Sequence, residues 1–172
     1  MFEPVCKAAC DPHQKEHIEH IHHELTDSIR YAERIQKAVL PDEISIKNKI
    51  HYEFFTLFKP KDIVSGDFYW ICESKNKIAF CVADCTGHGV PGAFMSIRGI
   101  SFLNEIVARN VVDPASSVLD ELQSMVMKSI KQSGRVIEHN DGMDIALCVY
   151  DIEKCELQYA GANNSLYIVS PD

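Results

Sequence analysis

An α+β fold built on antiparallel sheets is what this sequence predicts, and three observations carry the prediction. Segments with strand character fall in adjacent pairs joined by short turns, and the helical segments are grouped between those pairs. The one glycine-rich turn that follows a strand leads into two successive helices, whereas a parallel sheet needs a helix and then a further strand. At 172 residues, 46% of them hydrophobic and 24% charged, the chain has the length of one domain and enough apolar residues for a substantial core.

Residues 14 to 40 read as a helix, because Ile18, Ile21, Leu25, Ser28, Ala32, Ile35 and Val39 recur at a and d spacing with charged residues between them. Pro41 ends it. So narrow a stripe suits either the edge of a larger core or a two-stranded coiled coil; the polar remainder favours the coil, and with it a homodimer through this helix. A linker that relays a signal has this form. Residues 1–41 are therefore set apart as a linker helix and 42–172 as the folded domain.

Strands are expected over 50–58, 66–73 and 77–84. The helix expected over 91–109 is apolar nearly all round and carries the small residues Gly92, Ala93, Ser96 and Gly99, so it should be buried and closely packed. The next helix opens with Asp113 as N-cap and Pro114 at its first position, and stops at Ser133-Gly134. Ala115, Val118, Leu119, Leu122, Val126 and Ile130 form its apolar face. Strands over 143–151, 155–160 and 166–169 complete the expected order.

The formal charge of −8 argues against nucleic acid or an anionic membrane as partner, since phosphate contacts need clustered Lys and Arg. The opening "MFEPVCKAAC" lacks the basic flank and apolar core of a signal peptide, and no apolar run approaches the ~20 residues of a membrane span, so the cytoplasm is the expected location. Seven cysteines, an odd number spread through expected strands, fit reduced buried thiols better than a disulfide framework.

The sharpest inference lies in the hairpin "SGDFYWICESKNKIAFCVADC". A turn centred on Lys75-Asn76 pairs residues whose numbers sum to 151, which sets Ile71 opposite Phe80 and Asp67 opposite Asp84. Two carboxylates directly across a ladder repel, and these sit on a face otherwise built from Tyr69, Ile71, Ile78, Phe80 and Val82. A hard divalent cation such as Mg²⁺ or Mn²⁺, which takes one or two carboxylates and keeps several waters, would resolve the conflict. Two turn-capping aspartates are the other reading. The opposite face, from Phe68 and Trp70 to Cys81 and Ala83, is also apolar, so the hairpin should be covered on both sides.

The turn "ADCTGHGVPGAF" contains Gly87-x-Gly89-x-x-Gly92, the spacing of a dinucleotide fingerprint, but Asp84 would face the pyrophosphate and no parallel strand follows. Within it His88 could contact phosphate or carry a proton, or be an ordinary turn histidine. Lys59 and Lys61, flanking Pro60, could attract a phosphorylated partner or belong to a plain exposed loop. Asp141-Gly142 reads as a turn, and Asp144 at a strand start is a lesser metal candidate. Cys6, Cys10, His13 and His17 have spacing that could hold Zn²⁺, against a histidine-rich solvated face.

Taken together, these motifs resemble the SpoIIE/RsbU-type serine phosphatases, bacterial members of the metal-dependent PPM phosphatase superfamily. Ser65-Gly66-Asp67-Phe68-Tyr69-Trp70 is similar to the family's Gly-Gly-Asp-Phe-Tyr segment, and Ala83-Asp84-Cys85-Thr86-Gly87-His88-Gly89-Val90-Pro91-Gly92-Ala93 to its Ala-Asp-Val-Ser-Gly-Lys-Gly-Val-Pro-Ala-Ala segment. "YAERIQKAVLP" and "LQYAGANNSLYIV" extend the resemblance over about residues 28 to 172. It implies a PPM-type sandwich of two antiparallel sheets flanked by helices. It also implies a site for two Mn²⁺ or Mg²⁺ ions, with Asp67, Asp84 and the backbone carbonyl of Cys85 among the ligands. The metals would activate a shared water to attack the phosphorus of a phosphoserine or phosphothreonine, with no covalent intermediate. The expected substrate is a phosphorylated regulator such as an anti-sigma-factor antagonist.

Ser65, Cys85 and Asn163-Asn164 depart from the family pattern, the last standing where many relatives have Gly-His. The family's downstream Asp-Gly segment and final acidic strand, which supply further ligands, would lie past Asp172. On that comparison the 172 residues should hold at most one ion weakly and turn over poorly. Two function classes follow. One is a metal-dependent phosphatase; the other is a catalytically inactive signalling module of the same fold that binds a phosphoprotein or dimerises.

Overall fold

A computed structural model describes residues 12–42, 44, 46–47, 53–109, 112–132 and 142–170. Within them the elements run α1 (Pro12–Val39), β1 (Phe68–Ser74), β2 (Lys77–Cys85), α2 (Gly89–Ala108), α3 (Ala115–Gln132), β3 (Met143–Asp151) and β4 (Glu156–Ala162). The four strands form one antiparallel sheet in the order β1-β2-β3-β4. The α+β class follows directly from the grouping of helices between the two hairpins.

The first hairpin has the register that its turn dictates. Lys75, at φ 56°, takes the left-handed conformation that reverses the chain, Ile71 pairs with Phe80, and the ladder runs from Ser74–Lys77 to Phe68–Ala83. Because side chains alternate across a strand, one face of the sheet collects Phe68, Trp70, Ala79, Cys81, Ala83, Ile145, Leu147 and Val149 in the main core. The helices supply the other half: Ile100, Leu103 and Ile106 from α2, and Val118, Leu122, Val126 and Ile130 from α3. Trp70 reaches through this layer to donate its indole N–H to Asn104 Oδ1 at 2.8 Å. Burying a side chain of this size contributes about 1.5–3 kcal/mol, so this face holds the domain together.

The other face is covered differently from the sequence expectation. Ile46, Phe54 and the ring of Phe58, 5.6 Å from that of Tyr69, lie against part of it, while Val82 stays 60% exposed and Phe80 39%. Among the described residues there is one sheet and no second one stacked on it. The strand expected over 50–58 is absent where that range is described: residues 53–60 alternate exposed and half-buried but join no strand among the described residues. The strand expected over 166–169 is likewise absent; Tyr167, Ile168 and Val169 are exposed and unpaired with any strand.

Two helix ends also differ. The α2 helix begins at Gly89, two residues before the expected start. For α3, Asp113 does not act as the N-cap. Its carboxylate pairs with Lys77 and accepts from Gln158 Nε2 at 2.8 Å, and it is Gln158 Oε1 that takes the Ala115 amide at 3.0 Å. A charged tertiary partner outbid the local capping preference.

The α1 helix spans 28 residues, and its apolar stripe is exposed, with Ile18 at 61% and Leu25 at 58%. Only its last turns meet the domain, where Val39 and Leu40 pack on the core and Gln36 is buried. No helix among the described residues is long and apolar enough to cross a membrane.

Candidate metal centre

Extending the first hairpin by one pair beyond Phe68–Ala83 brings Asp67 opposite Asp84. The second pairing was not foreseen: β2 against β3 sets Asp84 opposite Asp144. Three carboxylates thus stand on adjacent strands at one edge of the sheet, all on the face that α2 and α3 leave open. They line one end of a groove of about 1130 Å³ that continues along the apolar Ile46, Phe54 and Phe80. Partial burial, and then the hydrogen bond and negative charge of Asp84, hold the Asp67 carboxyl above its ordinary value of 3.8. Such a pair repels unless it is protonated or shares a cation.

Two loops fix this edge. Gly66 runs so close to the Asp84-bearing turn that a Cβ on it would sit 2.9 Å from the Cys85 carbonyl oxygen and 3.0 Å from that of Gly87. The Cys85 amide in turn donates to Gly66 O at 3.4 Å. Gly87 adopts φ 88° and Gly89 φ 64°, left-handed conformations that let the chain pass from strand to helix within four residues. The glycines therefore serve the turn and the close approach of the two loops.

The donor set suits a hard divalent ion. Asp67 and Asp84 supply facing carboxylates, and the Cys85 carbonyl lies on the Gly66 side of the same turn. The Cys85 side chain lies on the buried face of β2, in the core and away from the Asp84 face, where burial, then the charges of Asp84 and Asp67, push the thiol pKa up to about 12. Asp144, across from Asp84, accepts from Asn163 Nδ2 at 2.8 Å. Among the described residues no three His, Cys, Asp or Glu side chains converge closely enough to enclose an ion, so an ion held here would keep water over most of its coordination sphere.

His88 is almost wholly exposed before α2, caps nothing with its side chain, and turns its Nδ1 to within 3.7 Å of Asp62 Oδ2. Lys59 borders the groove, and Lys61 is exposed beyond it. His13 and His17 sit on the exposed surface of α1, while Cys6, Cys10 and Asp141 fall outside the described residues. Sequence reasoning did not foresee that Asp144 faces Asp84, and it passed over Gln36, whose amide grips the Ser65 backbone next to Asp67. The pairing of β2 with β3 would have found the first; a lone polar residue among Val39 and Leu40 on the docking side of α1 was the only hint of the second.

Comparison with known proteins gives the family. The model of the family described as "Stage II sporulation protein E (SpoIIE)" matches residues 74–172, more than half of the chain. Among solved structures, the "SiaA-PP2C domain of Pseudomonas aeruginosa" is similar at 34% sequence identity with a TM-score of 0.70. That likeness covers 83% of this chain and 55% of the neighbour, so the chain spans about half the neighbour's length. No curated protein matches. The antiparallel sheet with helices on one face agrees with the solved neighbour, and the chain belongs to the SpoIIE family of PPM-type phosphatase domains.

Proposed function

We propose that this domain takes part in the metal-dependent hydrolysis of phosphoserine or phosphothreonine on a signalling regulator, such as an anti-sigma-factor antagonist. The observation that carries the proposal is the pair Asp67 and Asp84, two like charges held face to face at the end of an open groove. Mn²⁺ or Mg²⁺, two ions in a complete site, would supply an activated water and neutralise phosphate charge. Asp67 and Asp84 would hold metal, with the Cys85 carbonyl beside them. Gly66 and the Gly87–Gly92 turn fix the spacing of the two aspartates, and the groove offers room for a peptide segment next to them. Lys59 at the groove's border contributes positive charge where a phosphorylated chain would approach.

The α1 stripe supports homodimerisation through a parallel coiled coil, since Ile18, Ile21, Leu25 and Ile35 are all exposed in the single chain. The catalytically inactive reading draws on one observation, that no third acidic side chain converges with Asp67 and Asp84 among the described residues. Phosphate release from a phosphoserine peptide separates the two. Slow release that needs Mn²⁺, stops with a chelator and disappears in Asp84→Asn supports hydrolysis. Binding of the phosphopeptide without release, unchanged in Asp84→Asn, supports the inactive module.

A further inference from the structure

Helix α1 meets the domain through one buried polar side chain. Gln36 is 4% exposed on a helix otherwise exposed over most of its length, and both ends of its amide are used. Its Nε2 donates to Ser65 O at 2.5 Å and to Ser96 Oγ at 2.7 Å, while its Oε1 accepts from Ser65 N at 3.0 Å. The amide thus grips the N–H and the C=O of one residue together, as a neighbouring strand would. Ser65 is itself buried, and its Oγ accepts the Asp67 amide at 3.0 Å. Ser96, wholly buried in α2, keeps its hydroxyl 2.9 Å from Ala93 O and 3.2 Å from Ser65 O.

The Ser65–Asp67 turn precedes β1, and the Cys85 amide on Gly66 O, at 3.4 Å, is the one bond from the neighbouring strand that reaches it among the described residues. Its buried backbone groups need partners, and Gln36 provides two of them. With the side-chain amide gone, the buried Ser65 N–H would lose its Gln36 acceptor and the C=O would keep the Ser96 hydroxyl at 3.2 Å, a state relieved by shifting the turn toward water. Asp67 lies two residues on and is tied to the Ser65 hydroxyl, so it would move with the turn. We propose that Gln36 is a positioning residue: from α1, it sets the Ser65–Asp67 turn at the spacing that lets Asp67 and Asp84 share one divalent ion. This rests on the metal reading of the two aspartates.

The test is Mn²⁺ affinity by calorimetric titration of the whole chain, with amide hydrogen exchange as the second readout. Gln36→Met keeps length and burial but neither donates nor accepts strongly; it should bind Mn²⁺ about tenfold more weakly, equivalent to about 1.4 kcal/mol. Gln36→Glu should bind as weakly, since it can accept from Ser65 N but sets its oxygens against Ser65 O. In both, the Ser65 and Asp67 amides should exchange faster than in the parent. Leu25→Ala, on the exposed stripe of the same helix, should leave affinity unchanged. Parent affinity in Gln36→Met, with Asp67→Asn weakened, overturns the role of Gln36 and leaves the metal reading standing. Parent affinity in Asp67→Asn as well removes both. Should Gln36→Met not fold, the parent decides alone: a Ser65 amide exchanging at the rate of an open loop contradicts the proposal, and one protected like the amides of β2 supports it.

Discussion

Replacing Asp67 by Asn should stabilise the metal-free protein and weaken the metal-bound one, a reversal that only a shared cation explains. Asp67 and Asp84 face each other on neighbouring strands, and the Asp67 pKa is raised by burial, then by its hydrogen bond to Asp84 and the charge there. A carboxyl whose folded pKa lies above its unfolded value contributes stability below the unfolded value, and that contribution is lost as pH rises through the folded one. At neutral pH without metal the pair is therefore a cost. Both groups are open to solvent, so the aqueous Coulomb figure applies, about 1 kcal/mol for unit charges ~4 Å apart. Removing it should raise the melting temperature by about 2–4 °C in a chelator at pH 7.5, for a chain of this size. The gain should vanish near pH 3.5, where the pair is no longer doubly charged. Mn²⁺ at 100 times its dissociation constant stabilises the parent by about 2.7 kcal/mol, and a hundredfold weaker Asp67→Asn by only about 0.4 kcal/mol. Thermal unfolding followed by circular dichroism, with chelator and with Mn²⁺, reads both effects. An Asp67→Asn protein that is less stable than the parent in chelator, and gains as much from Mn²⁺, would refute the reasoning.

Three further outcomes follow from other parts of the molecule. Gly66→Ala places a methyl 2.9 Å from Cys85 O and 3.0 Å from Gly87 O, both backbone atoms, and should cost about 1–3 kcal/mol in denaturant titration while loosening the Asp84 turn. Asp113, whose pKa is lowered by the Lys77 hydrogen bond and then by Gln158, contributes stability above its ordinary 3.8 that is lost as pH falls through the lower folded value. Asp113→Asn should lower stability at pH 7, flatten that acid limb in unfolding curves between pH 4 and 2, and converge with the parent at the acid end. Ile21→Glu with Leu25→Glu, on the exposed stripe of α1, should convert a dimer to a monomer in light scattering, with the melting of the domain unchanged.

The parts of this fold legible in the sequence were those fixed by local rules. A two-residue turn at Lys75-Asn76 determined the register of its hairpin, and the register placed Asp67 against Asp84. Helix α1 was readable from its heptad spacing and Pro41, and α3 from the period of its apolar face. What depended on distant partners was not readable. Residues 53–60 carry the alternation of a strand, but alternation records which side faces the sheet, and among the described residues no strand pairs with them. Asp113 has the chemistry of an N-cap, and Lys77, 36 residues away, redirected it. Asp144 gained its place only when β3 paired with β2, across a gap that holds two helices. Gln36 shows the same limit in another form: a glutamine near a helix end reads as solvated until the Ser65 turn packs against it.

The most direct measurement of the central claim is a Mn²⁺ titration followed by electron paramagnetic resonance, run on the parent, Asp67→Asn and Asp84→Asn at pH 7.5. The parent should remove one Mn²⁺ per chain from the free-ion signal, and each variant should lose that binding by at least about a hundredfold while keeping its circular dichroism spectrum. Equal binding by all three proteins would contradict the account and leave Asp67 and Asp84 as residues that end strands and nothing more.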